Sequence, residues 1–265
     1  MLYAIKHNKI GQNIKGDLKW KDVFKPSEDS LTSSVIGSLL YLPVDIFWNL
    51  MRNACYTDEL PKETGRLIEA DFWAHWNSEG ASNSNYVEPD VFVRFEAFDL
   101  LIEAKRYDNN QQNEGQWRDQ IQAYLNEYSE DEKTLHYIAL GGIRTEKLET
   151  IVNGSFSVNV IKCRWRSLLA EVKRGMQTFN APEAKCFQND AILRLFNDVI
   201  YAFRLHGFYT GEWLESMPYK SLNIENGIDC FVKHSIKTDG GIGFETLPTG
   251  CHIDSNSLEI LNIRL

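Results

Sequence analysis

Three side chains in one short segment are spaced for metal-dependent chemistry on a phosphate. Asp90 precedes an apolar run, and Glu103 and Lys105 close the next run along the chain, in EPDVFVRFEAFDLLIEAK. If the two runs pair as antiparallel strands, the start of one lies beside the end of the other. Two carboxylates would then meet beside an ammonium group. Carboxylate oxygens are the ligands that Mg²⁺ prefers, so the segment predicts a divalent-metal site.

The alternation of side chains along a strand indicates which residues share this site. Glu103 and Lys105 fall on one face. The opposite face is apolar, as a core requires, with Leu100, Ile102 and Ala104. The backbone carbonyl of Ala104 is a further candidate metal ligand. A metal held there can polarise a phosphodiester and lower the pKa of a bound water. Lys105 can orient that water or stabilise charge that develops on phosphorus.

Helices and strands with clear sequence signals flank the segment. A helix is predicted to begin after the N-cap Ser27, because Glu28 and Asp29 occupy the first turn, where the helix dipole favours acids. Apolar residues then recur at helical spacing at Leu31, Val35, Leu39 and Leu42. A second helix, a strand, the two paired strands, a third helix and a further strand follow, over residues 44–51, 66–76, 91–95, 100–103, 116–128 and 135–140.

The rest of the chain predicts fewer regular elements. We expect a strand, two helices and three short strands over residues 158–165, 167–174, 191–205, 228–234, 243–246 and 258–265. The whole pattern predicts an α/β core over residues 1–180. An extension of a helix and short strands, residues 181–265, is expected to pack on that core.

The segment and its flanking elements resemble the PD-(D/E)xK nuclease superfamily. Asp90 matches the acid of the family's PD, Glu103 its second acidic position and Lys105 its lysine. The resemblance covers about half of the chain. It implies a restriction-endonuclease-like core, in which a helix, a three-stranded antiparallel meander, a helix and a strand build a mixed central sheet. The predicted order from Ser27 to Leu140 is the same.

The resemblance also implies supporting residues on the two helices. Many members carry a carboxylate on the first helix, where Glu28 is the best match and Asp29 the competitor. Some carry a glutamine on the helix after the lysine, where Gln120 is preferred to Gln116 because it lies mid-helix among apolar neighbours. Glu69 on the first strand is a weaker candidate. The expected metal ligands are Asp90, Glu103, Ala104 and Glu28. The expected catalytic set is Asp90, Glu103, Lys105, Glu28 and Gln120.

Both supporting assignments have a purely structural alternative. An acid at Glu28 can simply complement the helix dipole. A glutamine at position 120 can simply face solvent, as most glutamines do.

Composition narrows the class of protein. Of 265 residues, 43% are hydrophobic and 25% charged, as in ordinary globular proteins. A net charge of -9 disfavours a non-specific DNA coat, but not a nuclease whose basic residues line one cleft. Five cysteines without a CxxC motif favour a reducing, cytoplasmic location. We expect no signal peptide and no membrane association, because no apolar run approaches the roughly 20 residues of a membrane span.

Two other groups of residues could carry function. One candidate zinc site would combine Cys230, His234, Cys251 and His252. Their spacing matches no common zinc motif, so unrelated cysteines are the favoured interpretation. A basic cluster comprises Lys162, Arg164, Arg166, Lys173 and Arg174. It could meet a phosphate backbone, although a solvated face beside a buried Trp165 is favoured. Arg106 and Arg118 are better placed to touch nucleic acid.

The site residues and the resemblance together imply a Mg²⁺-dependent nuclease, with Mn²⁺ able to substitute, that cuts DNA as an endonuclease. The segments EDSLTSSVIGSLLYLP and IEAKRYD resemble uncharacterised bacterial members, many of them linked by analogy to defence against phages and other foreign DNA. RNA as substrate remains an alternative. So does a catalytically silent nuclease-fold subunit that binds nucleic acid or a partner protein, although a silent subunit has no need for a buried cluster of like charges. An enzyme that cuts two strands would be a homodimer or act with a partner protein of a defence system.

Overall fold

The chain folds as an α/β protein around a mixed six-stranded sheet. The structure, a computed structural model, describes residues 26–82, 85–107, 109–154, 156–181 and 187–209. Its α-helices are α1 (Glu28–Leu39), α2 (Val44–Ala54), α3 (Glu114–Tyr128), α4 (Trp165–Asn180) and α5 (Phe187–Leu205). Its strands are β1 (Leu67–Phe72), β2 (Val91–Phe95), β3 (Asp99–Ala104), β4 (Leu135–Leu140), β5 (Glu149–Asn153) and β6 (Phe156–Cys163). Within these ranges no helix has the length and apolar character that crossing a membrane requires.

The sheet combines an antiparallel meander with a parallel centre. The strand order is β1-β2-β3-β4-β6-β5. Strand β2 is antiparallel to both β1 and β3, which confirms the predicted hairpin. Strands β3, β4 and β6 are mutually parallel, and β5 closes the sheet antiparallel to β6. Parallel neighbours need a crossover connection, which α3 provides between β3 and β4.

Helices cover the two faces of the sheet unequally. Helices α1, α2, α4 and α5 pack into one hydrophobic cluster with Leu100 and Ile102 of β3. Helix α3 forms a second cluster on the other face with Phe92 and Leu101. Every residue of β3 is therefore buried, and any polar side chain on that strand must find its partners inside the protein.

The start of α1 is fixed by its own sequence. Ser27 accepts a hydrogen bond from the backbone N–H of Ser30 at 3.1 Å, and Ser30 Oγ accepts one from the Ser27 N–H at 2.9 Å. This reciprocal cap satisfies two N–H groups that a helix start leaves without partners. The predicted inward face is confirmed, since Leu31, Val35 and Leu39 are buried.

Helix α5 joins the same core as α1. Phe196, Val199 and Phe203 belong to the cluster that α1 and α4 build. Just after the helix, His206 Nε2 lies 2.8 Å from Ser30 Oγ. The described part of the predicted extension thus packs on the core. Its three predicted short strands lie outside the described residues.

Several predicted boundaries were wrong, each for a local reason. The first strand ends at Phe72 rather than at residue 76, because Trp73 takes a positive φ of 54° that interrupts the strand. Strand β5 was not predicted, since only Ile151 of its five residues is buried and no apolar pattern marks it. The strand predicted to end at Trp165 stops at Cys163, and Trp165 instead begins α4, which extends to Asn180.

The turn after β4 requires glycine for two reasons. Gly141 has a φ of +69°, and a Cβ placed there would lie 2.2 Å from the carbonyl oxygen of Lys105. Gly154 has a similar φ of +60° with nothing within 4 Å of the added atom. The two positions share the same backbone conformation and differ in the space around it.

We expect Gly141→Ala to destabilise the protein by roughly 3–5 kcal/mol, because steric overlap with backbone adds to the cost of positive φ. Gly154→Ala should cost only the conformational part, about 1–2 kcal/mol. Urea unfolding of both variants measures the difference. Equal losses of stability would contradict the close approach at Gly141.

Candidate active site

The pairing of β2 with β3 brings the two predicted strand acids together. Val91 is opposite Ile102, so the next pair in the same register is Asp90 opposite Glu103. The Ala104 N–H donates to Asp90 Oδ2 at 2.8 Å. Both side chains are buried, with Glu103 1% and Asp90 9% exposed. The hairpin thus holds two carboxylates side by side where apolar β3 ends.

Lys105 is the cation that pairs with Glu103 and with Glu28. Its ammonium donates to Glu103 Oε1 and, at 3.3 Å, to Glu28 Oε1. Glu28 Oε2 also accepts from the Arg106 N–H at 2.9 Å. Glu28 therefore reaches the site from α1, whereas its competitor Asp29 is exposed. The indole N–H of Trp165 holds the Lys105 carbonyl at 2.7 Å.

Gln120 reaches the site from α3. Its amide Nε2 donates to Glu103 Oε2 at 2.6 Å, and its Oε1 accepts from the hydroxyl of Tyr137 on β4. All three side chains are buried. Because Tyr137 donates, it fixes which end of the Gln120 amide faces Glu103. Gln116, the other candidate on this helix, makes no side-chain hydrogen bond within the described residues.

The sequence did not reveal two of the residues that support Glu103. Tyr137 is one, because strand alternation does not tell which face of β4 meets α3. Gln112 is the other: its Nε2 donates to the carbonyls of Glu103 at 3.0 Å and Gly141 at 3.1 Å. Its Oε1 accepts from the Trp117 indole at 2.8 Å. A run of polar residues predicted only a loop there.

The electrostatics show more negative charge than Lys105 neutralises. Burial and the charge of Glu103 raise the pKa of Asp90 from 3.8 to about 7. Burial raises the pKa of Glu103 as well, although Lys105 and Gln120 oppose that shift. Burial lowers the pKa of Lys105, but Glu103 and Glu28 outweigh it and the net shift is upward. An additional cation at this position would be favourable.

The donor set fits a hard divalent cation in chemistry and charge. Asp90 and Glu103 supply carboxylate oxygens, and the Ala104 carbonyl and Glu28 are the further candidates. In the structure Lys105 and Gln120 occupy both oxygens of Glu103. Among the described residues no three His, Cys, Asp or Glu side chains are already arranged as a metal site. Each of these oxygens accepts one hydrogen bond and keeps a further lone pair that a cation could use.

The remaining sequence candidates lie elsewhere. Glu69 is exposed on β1. The basic cluster does not form one face: Lys162 is buried, pairs with Glu149 at 3.0 Å and lies 3.7 Å from the centre of the Trp117 ring. Trp165 is buried as predicted. The four residues of the candidate zinc site, Cys230, His234, Cys251 and His252, fall outside the described residues.

Comparison with known proteins gives one distant relative. The chain is 26% identical over 229 residues to a protein of Pasteurella multocida (strain Pm70) named "Uncharacterized protein PM0110". The match covers 82% of this chain and 85% of the relative. No protein-family model matches the chain, and no solved structure matches it. The residues of the site must therefore carry the functional argument.

We expect Gln120→Ala to destabilise the protein, because Glu103 Oε2 and the Tyr137 hydroxyl both lose their buried partner. The cost should be about 1–3 kcal/mol for each group left without a hydrogen bond. Gln116→Ala, four residues earlier on the same helix, should stay within about 0.5 kcal/mol of the parent. Urea unfolding measures both, and similar losses would refute the buried network.

We also expect Asp90→Asn to stabilise the metal-free protein increasingly as pH rises. The folded protein binds the Asp90 proton more tightly than the unfolded chain does, because the pKa is raised to about 7. The stability that this proton contributes is complete below pH 4 and is lost as pH rises through 7. Asparagine removes the charge, so its advantage in Tm should be greater at pH 8 than at pH 5.

A matched control is Asp71→Asn, which changes an exposed acid on β1. Its Tm difference from the parent should be the same at both pH values. Each kcal/mol corresponds to about 2–4 °C for a chain of this size, so differential scanning calorimetry with a chelator resolves the effect. A pH-independent Asp90→Asn difference would rule out the raised pKa.

Proposed function

We propose that this protein is a metal-dependent nuclease of the PD-(D/E)xK type that hydrolyses phosphodiester bonds in DNA. The observation that carries the proposal is the buried pair Asp90 and Glu103: only Glu103 is paired with an ammonium, that of Lys105, and the ionised forms of both acids are incompletely compensated, so both pKa values are raised. Structural ion pairs normally balance charge, because unpaired buried charge is costly. A site that keeps the imbalance is suited to receive a divalent cation.

The fold is compatible with a restriction-endonuclease-like core. The order of α1, the β1–β3 meander, α3 and β4 is the one that the resemblance implies. The match rests on element order and strand direction together with the residues of the motif. Fold alone would not name an activity, since function is decided by the site.

Each residue of the candidate site then has a defined role. Asp90 and Glu103 hold the cation, and the Ala104 carbonyl and Glu28 complete the candidate ligand set. Mg²⁺, or Mn²⁺ in its place, would polarise the scissile phosphate and lower the pKa of a bound water. Lys105 donates a hydrogen bond to the attacking water or to a phosphate oxygen, where charge builds up. Gln120 holds Glu103 in place, and Tyr137 holds Gln120.

DNA as the substrate and endonucleolytic cleavage are inferred from the resemblance, because the superfamily includes restriction and repair enzymes. A role in defence against foreign DNA, as a homodimer or with a partner protein, is the biological setting we propose on the same ground. The metal site itself does not distinguish DNA from RNA, so both polymers belong in the test.

A catalytically silent nuclease-fold subunit is the second candidate. One observation favours it: both oxygens of Glu103 are already hydrogen-bonded, to Lys105 and Gln120, without a metal. A subunit of this kind would bind nucleic acid or a partner protein through the same surface. It would neither bind Mn²⁺ at Asp90 nor cleave.

The deciding experiment incubates the purified protein with single- and double-stranded DNA and RNA in Mg²⁺ or Mn²⁺. We expect metal-dependent cleavage of DNA. Asp90→Ala and Lys105→Ala should each lower the rate at least about 100-fold, because each removes a group that stabilises the transition state. Titration of Mn²⁺ followed by electron paramagnetic resonance should show binding to the parent and loss of binding in Asp90→Ala.

Matched controls are Lys147→Ala and Glu69→Gln, which change an exposed lysine and an exposed acid outside the site. Both should retain the parent rate. Cleavage that survives Asp90→Ala and Lys105→Ala comes from a contaminant and overturns the enzyme. Nucleic-acid binding without Mn²⁺ binding or cleavage supports the silent subunit instead.

A further inference from the structure

Arg106, the residue after Lys105, is held in place by its backbone. Its N–H is bonded to Glu28 Oε2 at 2.9 Å. On either side, the Lys105 carbonyl accepts from Trp165, and the Tyr107 carbonyl accepts from the Gly142 N–H at 2.5 Å. The position of Arg106 relative to Glu28 and Lys105 is therefore fixed by contacts to α1, β4 and α4.

The guanidinium of Arg106 lacks the partners that such a group normally has. It offers five N–H donors, yet none bonds to any acceptor among the described residues, and Nε is buried without a hydrogen bond. The group lies over the Tyr107 ring, 4.9 Å from its centre. Stacking on an aromatic ring leaves the edge of the guanidinium, where its donors lie, available to an acceptor.

Other arginines of the chain show what a structural role looks like here. Five of them in the described part of the chain pair with a carboxylate: Arg66 with Glu96, Arg94 with Asp99, Arg118 with Glu114, Arg164 with Glu146 and Arg174 with Glu171. Arg106 is more buried than Arg66 or Arg174 and has no carboxylate partner in the described structure. A buried donor without a hydrogen bond calls for an explanation, and a ligand that accepts from it is one.

The contacts of Arg106 place it beside the start of α1. Glu28 is already engaged by Lys105 and by the Arg106 N–H. The bond from the Arg106 N–H to Glu28 places Arg106 beside the first residue of α1. Burial, together with the positive charge of Arg106, lowers the pKa of His206, which lies beside Ser30 on the same helix. Lys105 is paired with Glu28 and Glu103, whereas the guanidinium of the next residue, Arg106, pairs with no carboxylate among the described residues.

We infer that Arg106 is a phosphate-binding residue that contacts the nucleic-acid backbone next to the scissile phosphodiester. A guanidinium matches two oxygens of one phosphate through parallel N–H donors. Tyr107 keeps the planar group oriented by stacking. This inference deepens the proposed function and rests on nucleic acid as the ligand, but it requires binding only, not cleavage.

The test is binding of a fluorescein-labelled DNA duplex with a chelator present, followed by anisotropy over a series of KCl concentrations. Each phosphate contact contributes about 0.9 to the slope of log K against log salt concentration. Arg106→Gln should reduce the slope by about one contact and weaken binding about 5–10-fold at low salt. Arg106→Lys should restore the slope, because it restores the charge.

The matched control is Arg66→Gln. Arg66 is exposed, pairs with Glu96 and precedes β1, at the end of the sheet opposite Asp90. The Arg66→Gln variant should leave the salt slope and the DNA affinity unchanged. Thermal unfolding of each variant checks that the fold is intact, and a purely structural role of Arg106 would lower Tm without changing the slope.

The outcomes separate this inference from the proposed nuclease. A reduced slope in Arg106→Gln, with no cleavage by the parent in Mg²⁺ or Mn²⁺, supports the phosphate contact and refutes the enzyme. Cleavage by the parent, with an unchanged slope in Arg106→Gln, refutes the phosphate contact alone. A parent that binds no nucleic acid refutes both.

Discussion

The charge of two neighbouring buried carboxylates is the constraint that organises this structure. Asp90 and Glu103 lie opposite each other on paired strands, with Lys105 as the nearest cation. Burying two neighbouring like charges is unfavourable. This cost raises the pKa of both acids. Hydrogen bonds from the Ala104 backbone to Asp90 and from the Gln120 side chain to Glu103 offset part of that cost. Among the described residues, no second cation is paired with these two acids.

Four parts of the fold converge to hold this arrangement. The β2–β3 register sets Asp90 against Glu103, and α1 brings Glu28 to Lys105. The crossover helix α3 delivers Gln120, because a parallel β3–β4 pair requires a helix across that face. The glycine turn after β4 lets its backbone approach Lys105 more closely than any side chain would allow. Precise positioning of a site depends on such supporting contacts.

Much of the fold was predictable because local signals agreed with the tertiary structure. The capped helix at Ser27, the apolar hairpin and the amphipathic α3 all have strong patterns, and all three are found. The sequence patterns were weak at β5, which was not predicted, and conflicting at the start of α4, which was misplaced. Strand β5 has a single buried residue, so no apolar alternation marks it in the sequence. At Trp165 an aromatic residue that suits a strand instead begins a helix, since packing overrides local propensity.

The sequence by itself determined the identity of the acids and the lysine and the strands that carry them. Period and spacing are local properties, and a strand's alternation fixes which residues share a face. Only the tertiary structure decided that Glu28 rather than Asp29 meets Lys105, and that Gln120 rather than Gln116 meets Glu103. It also decided that Tyr137 and Gln112 support the site and that, among the described residues, the buried Nε of Arg106 has no hydrogen-bond partner. These choices depend on how whole helices rotate and pack against the sheet, a long-range result that no local pattern encodes.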